Sequence, residues 1–321
     1  MTSVRWPDGP VMVRTPATSA NLGPGFDSLG LALSLHDEVR AQVIGAGLHI
    51  EVTGVGERTA RFGEGHLVVR AMRTAFEALG EQPPGIGLSC VNAIPHGFGL
   101  GSSAAAIVAG MLAARALCGA AGLGRLPDEA LLGMAADVEG HADNVAACLA
   151  GGLTIAWGAG SAGSARCARL DPLPGLTPVL CVPAVPLATE AARQVLPASV
   201  PHADAAKNAA RAALLVAALT GEAQLKDAAL LLDATQDFLH QSYRAGSMPA
   251  TASLIGALRS AGIPAVVSGA GPAALALIVP GVTAGAEAVA AIAAQSGDDW
   301  TVSVLQVDRE GATVAHDGGR P

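Results

Sequence analysis

Polar and hydrophobic positions alternate along five stretches in the first half of the chain, and this period of two predicts β-strands. The stretches are 12–15, 31–43, 48–55, 86–94 and 151–157. Three other stretches are mostly apolar without that alternation and predict helices, at 66–79, 104–117 and 128–137. The helix at 104–117 is apolar on nearly every face, so we expect it to be buried between layers.

The second half of the chain shows a similar mixture of strands and helices after a segment rich in Gly, Ser and Ala. Its predicted elements are strands at 178–183 and 301–307, a strand, glycine turn and strand over 265–277, and helices at 205–219, 225–235 and 284–295. This pattern predicts a first domain at 1–158, a linker at 159–170 and a second, α+β domain at 171–321. The polar tail after Asp308 is expected to be loose.

The composition excludes several classes of protein. Hydrophobic residues make up 51% of the 321 residues, but no uninterrupted apolar stretch approaches the roughly twenty residues of a membrane span. Residues 1–10 lack the apolar core of a secretory signal, so we expect a cytoplasmic protein with no membrane partner. The net charge of −8 argues against a nucleic-acid partner. Five cysteines without CxxC or Cys/His spacing predict neither a disulfide framework nor a zinc site.

A glycine-rich segment at 95–106 leads directly into the long apolar helix. Gly97, Gly99 and Gly101 alternate with other residues, which lets the backbone close on a ligand. The helix turns its first unpaired N–H groups toward this segment, and Ser102 and Ser103 add two hydroxyls. We interpret the segment as a phosphate-binding loop. The alternative is a glycine turn before a buried helix.

Two common phosphate-binding motifs fit this segment poorly. A P-loop needs a lysine directly after its last glycine, whereas this chain has Ser102 there and its only lysines are Lys207 and Lys226. A dinucleotide-binding fold needs an acidic residue about twenty positions further on. No carboxylate follows here until Asp128, and no strand precedes it. The P-loop is therefore excluded, and the dinucleotide motif is disfavoured.

Two other segments concentrate polar residues that could bind a ligand. Asn21 and Asp27 lie in a loop stiffened by two glycines and two prolines, although an ordinary surface turn would look the same. Glu139, His141, Asp143 and Asn144 stand within six residues between apolar neighbours. Such a density of polar groups is costly unless they bind something, the alternative being a capping network for the next helix.

Three stretches together resemble the three motifs of the GHMP kinases, the family of galactokinase, homoserine kinase and mevalonate kinase. The run P-H-G-F-G-L-G-S-S-A-A at 95–105 resembles the second motif, and S-G-A-G-P at 268–272 resembles the third. The first motif, T-S-A-N-L-G-P-G-F-D at 18–27, has the form found in homoserine kinases. Three further runs are also similar to homoserine kinases: E-G-H-A-D-N-V-A at 139–146, T-E-A-A-R-Q-V-L-P at 189–197 and D-F-L-H-Q-S-Y-R at 237–244.

The resemblance covers nearly the whole chain and implies the two-domain GHMP kinase fold. In that fold, an N-terminal ribosomal-S5-like α/β domain with a left-handed βαβ unit binds ATP, and the C-terminal domain is a ferredoxin-like α+β unit. The implied ATP-binding residues are Pro95, His96, Gly97, Phe98, Gly99, Leu100, Gly101, Ser102, Ser103 and Ala104. The third motif, with Ser268, Gly269 and Gly271, is implied to support the nucleotide site.

The resemblance also implies the remaining site residues. Ser103 and Glu139 would bind Mg²⁺, and Asp143, Asn144 and Arg193 would form the catalytic group. The implied substrate-binding residues are Asn21, Asp27, His141, Thr189, Arg193 and Arg244. Mevalonate-type relatives pair the aspartate with a lysine, for which this chain has Thr18, so Asp143 and Asn144 are expected to orient the substrate hydroxyl. His66 replaces an asparagine near the adenine, and Phe98 replaces a small or polar residue.

The activity implied by the resemblance is phosphorylation of L-homoserine by ATP to O-phospho-L-homoserine, a step of threonine biosynthesis. The partners would be L-homoserine, ATP and Mg²⁺, and the protein would be a homodimer. Two alternatives remain open from the sequence. One is another small-molecule GHMP kinase of the mevalonate-pathway type. The other is a non-catalytic binding module, because the first domain should share its fold with an RNA-binding domain of the ribosome.

Overall fold

The computed structural model contains one seven-stranded and one four-stranded β-sheet, with helices packed on each. It describes residues 4–57, 63–124, 126–158, 165–187, 189–221, 223, 228–281 and 283–316, and the side chains of 189–191 are not described. The strands of the larger sheet are β1 (Val11–Ala20), β2 (Leu29–Val43), β3 (Gly47–Gly54), β4 (Gly85–Asn92), β5 (Leu153–Trp157), β6 (Arg166–Leu170) and β11 (Thr313–His316). The strand order is β11-β1-β2-β4-β3, and β5 joins β2 to β6.

Helices α1 (Leu67–Ala78), α2 (Ser102–Ala120), α3 (Asp128–Glu139) and α4 (Asp143–Ala150) belong to the same domain as this sheet. Strands β3 and β4 pair in parallel with α1 between them in sequence, whereas the other strand pairs of the sheet are antiparallel. Helix α2 is long and apolar enough to cross a membrane, the only such helix among the described residues. Two thirds of it (67%) is buried inside the protein, as expected for a core helix. It begins two residues before the predicted start at 104.

The second domain is built on the smaller, antiparallel sheet. Its strands are β7 (Thr177–Pro183), β8 (Ala265–Val267), β9 (Ala274–Ile278) and β10 (Trp300–Val304), in the order β10-β7-β9-β8. Its helices are α5 (Thr189–Gln194), α6 (His202–Thr220), α7 (Ala228–Ala234), α8 (Gln241–Arg244), α9 (Pro249–Ser260) and α10 (Ala286–Gln295). A hydrophobic cluster of its own, with Leu254, Leu258 and Val289, lies between this sheet and helices α9 and α10.

The structure corrects two expectations at the boundary between the domains. Residues 166–170 at the end of the predicted linker form strand β6 in the larger sheet, where Arg169 pairs with Thr154. The Gly- and Ser-rich residues before β6 hid this short strand, and those at 159–164 lie outside the described residues. The tail after Asp308 is also not loose, because β11 pairs antiparallel with β1 and places Val314 opposite Val13. Each strand has only four or five residues, too few for alternation to be evident.

Candidate active site

Three glycine-rich loops meet where the two domains face each other. The Ser268 hydroxyl lies 2.8 Å from the carbonyl oxygen of Gly99 and 2.9 Å from the hydroxyl of Ser19. The N–H of Gly269 donates to the carbonyl oxygen of Ala20 at 3.1 Å. The loop at 268–272 therefore fixes the end of β1 and the loop after β4 against each other, and its predicted role in supporting the nucleotide site stays a prediction.

The alternating glycines of the loop at 95–101 are required by its geometry. Gly97, Gly99 and Gly101 all have positive φ angles, of 79°, 74° and 66°. A Cβ atom at Gly99 would collide with the carbonyl oxygen of Ser268, and one at Gly101 would collide with the hydroxyl of Thr18. Any other residue would be strained at these positions and would push the three loops apart.

The loop ends at the start of α2, where Gly101 is the N-cap residue. The first α2 hydrogen bond to Gly101 comes from the N–H of Ala105, so the amides of Ser102, Ser103 and Ala104 have no partner within the helix. Ser102 and Ser103 line a cleft together with Gly97, Gly99 and Gly101. Backbone amides and the positive end of a helix dipole at one place are suited to bind phosphate groups.

Ser103 and Glu139 form a pair of oxygen donors beside this helix end. The Ser103 hydroxyl donates to Oε1 of Glu139 at 2.6 Å, although 36 residues separate them. Burial raises the pKa of Glu139, while the hydrogen bond from Ser103 opposes that shift. Hard oxygen ligands next to a phosphate site fit Mg²⁺. The described residues contain no group of three or more His, Cys, Asp and Glu side chains that could hold a metal, so most Mg²⁺ ligands would come from phosphate and water.

Asp143 and Asn144 stand at the start of α4 and line the same cleft as the glycine loop. Nδ1 of His141 and the N–H of Asn144 both donate to Oδ1 of Asp143, at 2.8 and 2.7 Å. The Thr18 hydroxyl donates to Oδ1 of Asn144 at 2.8 Å. Thr18 thus fixes the amide of Asn144. Because Oδ1 of Asn144 accepts this bond, the NH₂ group of the Asn144 amide remains available to the cleft.

The imidazole of His141 is held between two carboxylates. Burial lowers its pKa, but the hydrogen bond and charge of Asp143 and the charge of Glu139 outweigh burial and raise the pKa above the ordinary value. Nε2 of His141 lies 3.9 Å from Oε1 of Glu139. His141 therefore connects the predicted metal ligand with the predicted hydroxyl-orienting residues.

Asn21 and Asp27 adopt left-handed backbone conformations, which are uncommon for residues other than glycine. Their φ angles are +69° and +51°. Oδ1 of Asn21 accepts from the N–H of Asp27 at 2.9 Å, and its Nδ2 donates to the carbonyl oxygen of Gly269 at 2.7 Å. Strain of this kind persists where the surroundings hold it, often at functional sites. The loop thus presents the Asp27 carboxylate from a fixed position at the edge of the cleft.

Arg193, on α5, binds this carboxylate with both ends of its guanidinium group. Nη2 donates to Oδ1 of Asp27 at 2.9 Å and Nη1 to Oδ2 at 3.3 Å. Both side chains are 38% exposed and line the cleft. Thr189, also predicted to bind substrate, begins the same helix, but its side chain lies outside the described residues.

Arg244 lies beside Arg193 but is buried, with 1% of its surface exposed. Its Nε donates to the carbonyl oxygen of Ala192 at 3.0 Å, and its Nη1 donates to Nδ1 of His240 at 2.9 Å. Burial, followed by the charge of Arg193, lowers the pKa of Arg244. Among the described residues no carboxylate forms an ion pair with it. A buried cation whose hydrogen-bond partners are uncharged is well suited to bind an anionic ligand.

His240 and Phe26 support Arg244, and neither was identified from the sequence. Nε2 of His240 donates to the carbonyl oxygen of Gly23 at 2.8 Å, and the two rings stack with centroids 5.1 Å apart. Burial lowers the pKa of His240, which favours the neutral imidazole that Arg244 needs as an acceptor. The guanidinium carbon of Arg244 is 5.5 Å from the centre of the Phe26 ring. Their positions inside the matched runs 18–27 and 237–244 could have indicated this role.

A second cavity, of about 220 Å³, adjoins the phosphate-binding loop and shares Ser102 and Ser103 with the cleft. Its lining includes Thr15 and His66, and Oγ1 of Thr15 and Nδ1 of His66 are buried without a hydrogen-bond partner. Burial lowers the pKa of His66, so its imidazole is neutral near neutral pH. A cavity of this size beside a phosphate site, lined by polar and apolar side chains, is suited to a nucleotide base.

Comparison with known proteins identifies the family. Residues 66–152 match the model of the GHMP kinases N terminal domain, and residues 214–296 match that of GHMP kinases C terminal. The chain is 53% identical over 304 residues to the homoserine kinase of Streptomyces coelicolor, covering 95% of this chain and 94% of the relative. The chain belongs to the homoserine kinase family. Homoserine kinase of Clavibacter michiganensis is 47% identical over 307 residues, covering 95% and 93%.

The solved structures agree with membership of the homoserine kinases. The crystal structure of homoserine kinase from Cytophaga hutchinsonii superposes with a TM-score of 0.80 and 28% identity, covering 98% of this chain and all (100%) of that one. The predicted family, the two-domain GHMP kinase fold and the class of ATP-dependent kinase are confirmed. These results exclude the alternative of a non-catalytic module. The roles assigned to individual residues and the exact domain boundaries stay predictions.

Proposed function

We propose that this protein transfers the γ-phosphate of ATP to the hydroxyl of L-homoserine and forms O-phospho-L-homoserine for threonine biosynthesis. The observation that supports this most strongly is the pair of guanidinium groups, Arg193 and Arg244, beside the fixed carboxylate of Asp27. These three charges are complementary to the carboxylate and ammonium of an α-amino acid. They line the same cleft as the anion-binding end of α2.

ATP would bind with its phosphates against the amides of the 97–103 loop and the start of α2. Its base would enter the second cavity, which His66 and Thr15 line. Ser103 and Glu139 would hold Mg²⁺, which neutralises phosphate charge when bound. Because the chain has no lysine in this loop, main-chain amides carry most of the protein's contribution to phosphate binding.

L-Homoserine would bind with its ammonium on Asp27 and Asn21 and its carboxylate on the two arginines. This orientation directs its hydroxyl toward Asp143 and Asn144, where the amide NH₂ of Asn144 can hold the hydroxyl oxygen. In the reaction that oxygen bonds to the γ-phosphorus, the bond from phosphorus to the bridging oxygen breaks, ADP leaves with the bonding electron pair, and the hydroxyl proton is released to solvent. Such transfers depend mainly on alignment and charge neutralisation, so a strong base is not required.

An ADP-release assay with a panel of acceptors tests this proposal. We expect ADP release with L-homoserine and Mg²⁺, loss of activity when EDTA removes Mg²⁺, and background rates with mevalonate and phosphomevalonate. ADP release with a mevalonate-type acceptor but not with L-homoserine would contradict it. The cytoplasmic location and the homodimer also remain proposals, and sedimentation analysis of the purified protein would test the homodimer.

A further inference from the structure

The ion pair between Asp27 and Arg193 uses the same groups that the proposed function assigns to the substrate. Its two contacts, 2.9 and 3.3 Å, form the parallel arrangement that a guanidinium makes with any carboxylate, including that of an amino acid. The Asp27 carboxylate therefore pairs with the Arg193 guanidinium in the same way as a substrate carboxylate would. Arg193 in turn covers the carboxylate that the substrate ammonium needs.

The two partners differ in how firmly they are held. Asp27 is fixed by its own backbone, since its N–H donates to Asn21, which is itself bonded to Gly269. The described contacts of the Arg193 guanidinium are the two hydrogen bonds to Asp27, and its side chain contains several rotatable bonds. The guanidinium group can therefore move to a new carboxylate while Asp27 stays in place.

We propose that the Asp27–Arg193 ion pair fills the amino-acid site of the free protein. Only a ligand that carries both an ammonium and a carboxylate can displace this ion pair without leaving Asp27 or Arg193 unpaired. This inference rests on the proposed function. A zwitterion exchanges one ion pair for two, because its ammonium takes Asp27 and its carboxylate takes Arg193.

A ligand with one charge forms one ion pair but breaks another, and it leaves one charged side chain of the site without its partner. An amine that binds Asp27 displaces Arg193 from it. Arg193 and the buried Arg244 beside it then both lack a carboxylate partner. A carboxylate that takes Arg193 leaves Asp27 without a cation. The ion pair thus selects against metabolites that share the hydroxyl of homoserine but have only one of its two charges.

Removing one member of the ion pair should therefore improve the binding of the matching single-charge ligand. The probes are 3-aminopropan-1-ol, which lacks the carboxylate of homoserine, and 4-hydroxybutanoate, which lacks the ammonium. R193Q frees Asp27 and should bind 3-aminopropan-1-ol about 2- to 5-fold more tightly than the wild type, the range for a half-exposed pair. D27N frees Arg193 and should bind 4-hydroxybutanoate more tightly by a similar factor.

Calorimetric titration of the full chain measures these dissociation constants. Both variants should bind L-homoserine more weakly than the wild type does, so the changes have opposite signs for the zwitterion and the single-charge ligands. R73Q is the matched control, because Arg73 makes a similar two-contact pair with Glu64 outside the cleft, at 3.0 and 3.3 Å. R73Q should leave all three ligands unchanged, and melting curves would verify that each variant is folded.

The inference is overturned if each single-charge ligand binds the variants no more tightly than the wild type, including the case where no binding is detected in any of them. The proposed function fails differently, namely if the wild type does not phosphorylate L-homoserine. A wild type that phosphorylates homoserine, combined with variants that do not gain affinity, would refute the ion-pair exchange alone.

Discussion

Replacing Thr18 by valine tests whether its hydroxyl holds the catalytic amide. Valine has nearly the same shape as threonine, so T18V removes the donor to Oδ1 of Asn144 without opening a cavity. Thr18 is fully buried and Asn144 is 9% exposed, so water cannot readily replace the bond. An unsatisfied buried acceptor costs about 1–3 kcal/mol. Without the bond, the amide can turn and present its oxygen to the cleft in place of its NH₂ group.

The free energy of about 1–3 kcal/mol can be measured in two ways, as a fall in kcat and as a fall in the melting temperature. If the misplaced amide raises the activation barrier by the full amount, kcat with L-homoserine falls about 5- to 150-fold. For a chain of 321 residues the melting temperature should fall by roughly 1–2 °C for each kcal/mol lost from the fold. The assay is ADP release at saturating ATP and homoserine, accompanied by thermal unfolding.

T18S is the control, because it keeps the hydroxyl and should stay close to the wild type in both measurements. A T18V enzyme with unchanged kcat would refute the reasoning, whatever its melting temperature. It would show that the Thr18–Asn144 bond stabilises the fold but does not position a group for the reaction.

Three other predictions follow from the site. R244A should raise the KM for homoserine far more than the KM for ATP, and equal increases in steady-state assays would contradict the role of Arg244. H66F removes the unpaired ring nitrogen and should raise the KM for ATP about 5-fold, the value of roughly one hydrogen bond, with little change for homoserine. The pKa of His141 is raised in the folded protein, so its ion pair with Asp143 stabilises the fold fully at pH values below the ordinary pKa of 6.5. This stabilisation is lost as the pH rises through the raised pKa of the folded protein. The melting temperature of H141Q should therefore lie furthest below that of the wild type under acidic conditions, and a difference that grows with pH would contradict this.

The loops of the site could be predicted from sequence because local chemistry determines them. Three alternating glycines before an apolar helix allow few other structures, and Gly99 and Gly101 show why, since neither position has room for a Cβ atom. At these positions the residue types themselves restrict the geometry. The proximity of Ser103 and Glu139 was implied only by the resemblance to homoserine kinases, and their role as metal ligands stays a prediction.

Contacts between distant segments could not be predicted in this way. Asp27 and Arg193 are 166 residues apart, and nothing in either local sequence indicates that they bind each other in the free protein. The burial of Arg244 depends on the packing of His240 and Phe26 from separate loops. Strand β6 was missed for a different reason, since its five residues directly follow a Gly- and Ser-rich run in the sequence and are too few to show a clear alternation.

The antiparallel pairing of β11 with β1 means that the second domain is an insertion and does not simply follow the first. The chain leaves the larger sheet after β6, builds the smaller sheet, and returns to close the free side of β1. A fragment cut at residue 158 would therefore lack two strands and leave the backbone groups of β1 open to pairing with other molecules. Such a fragment is expected to aggregate, so the nucleotide-binding half needs the whole chain to remain soluble.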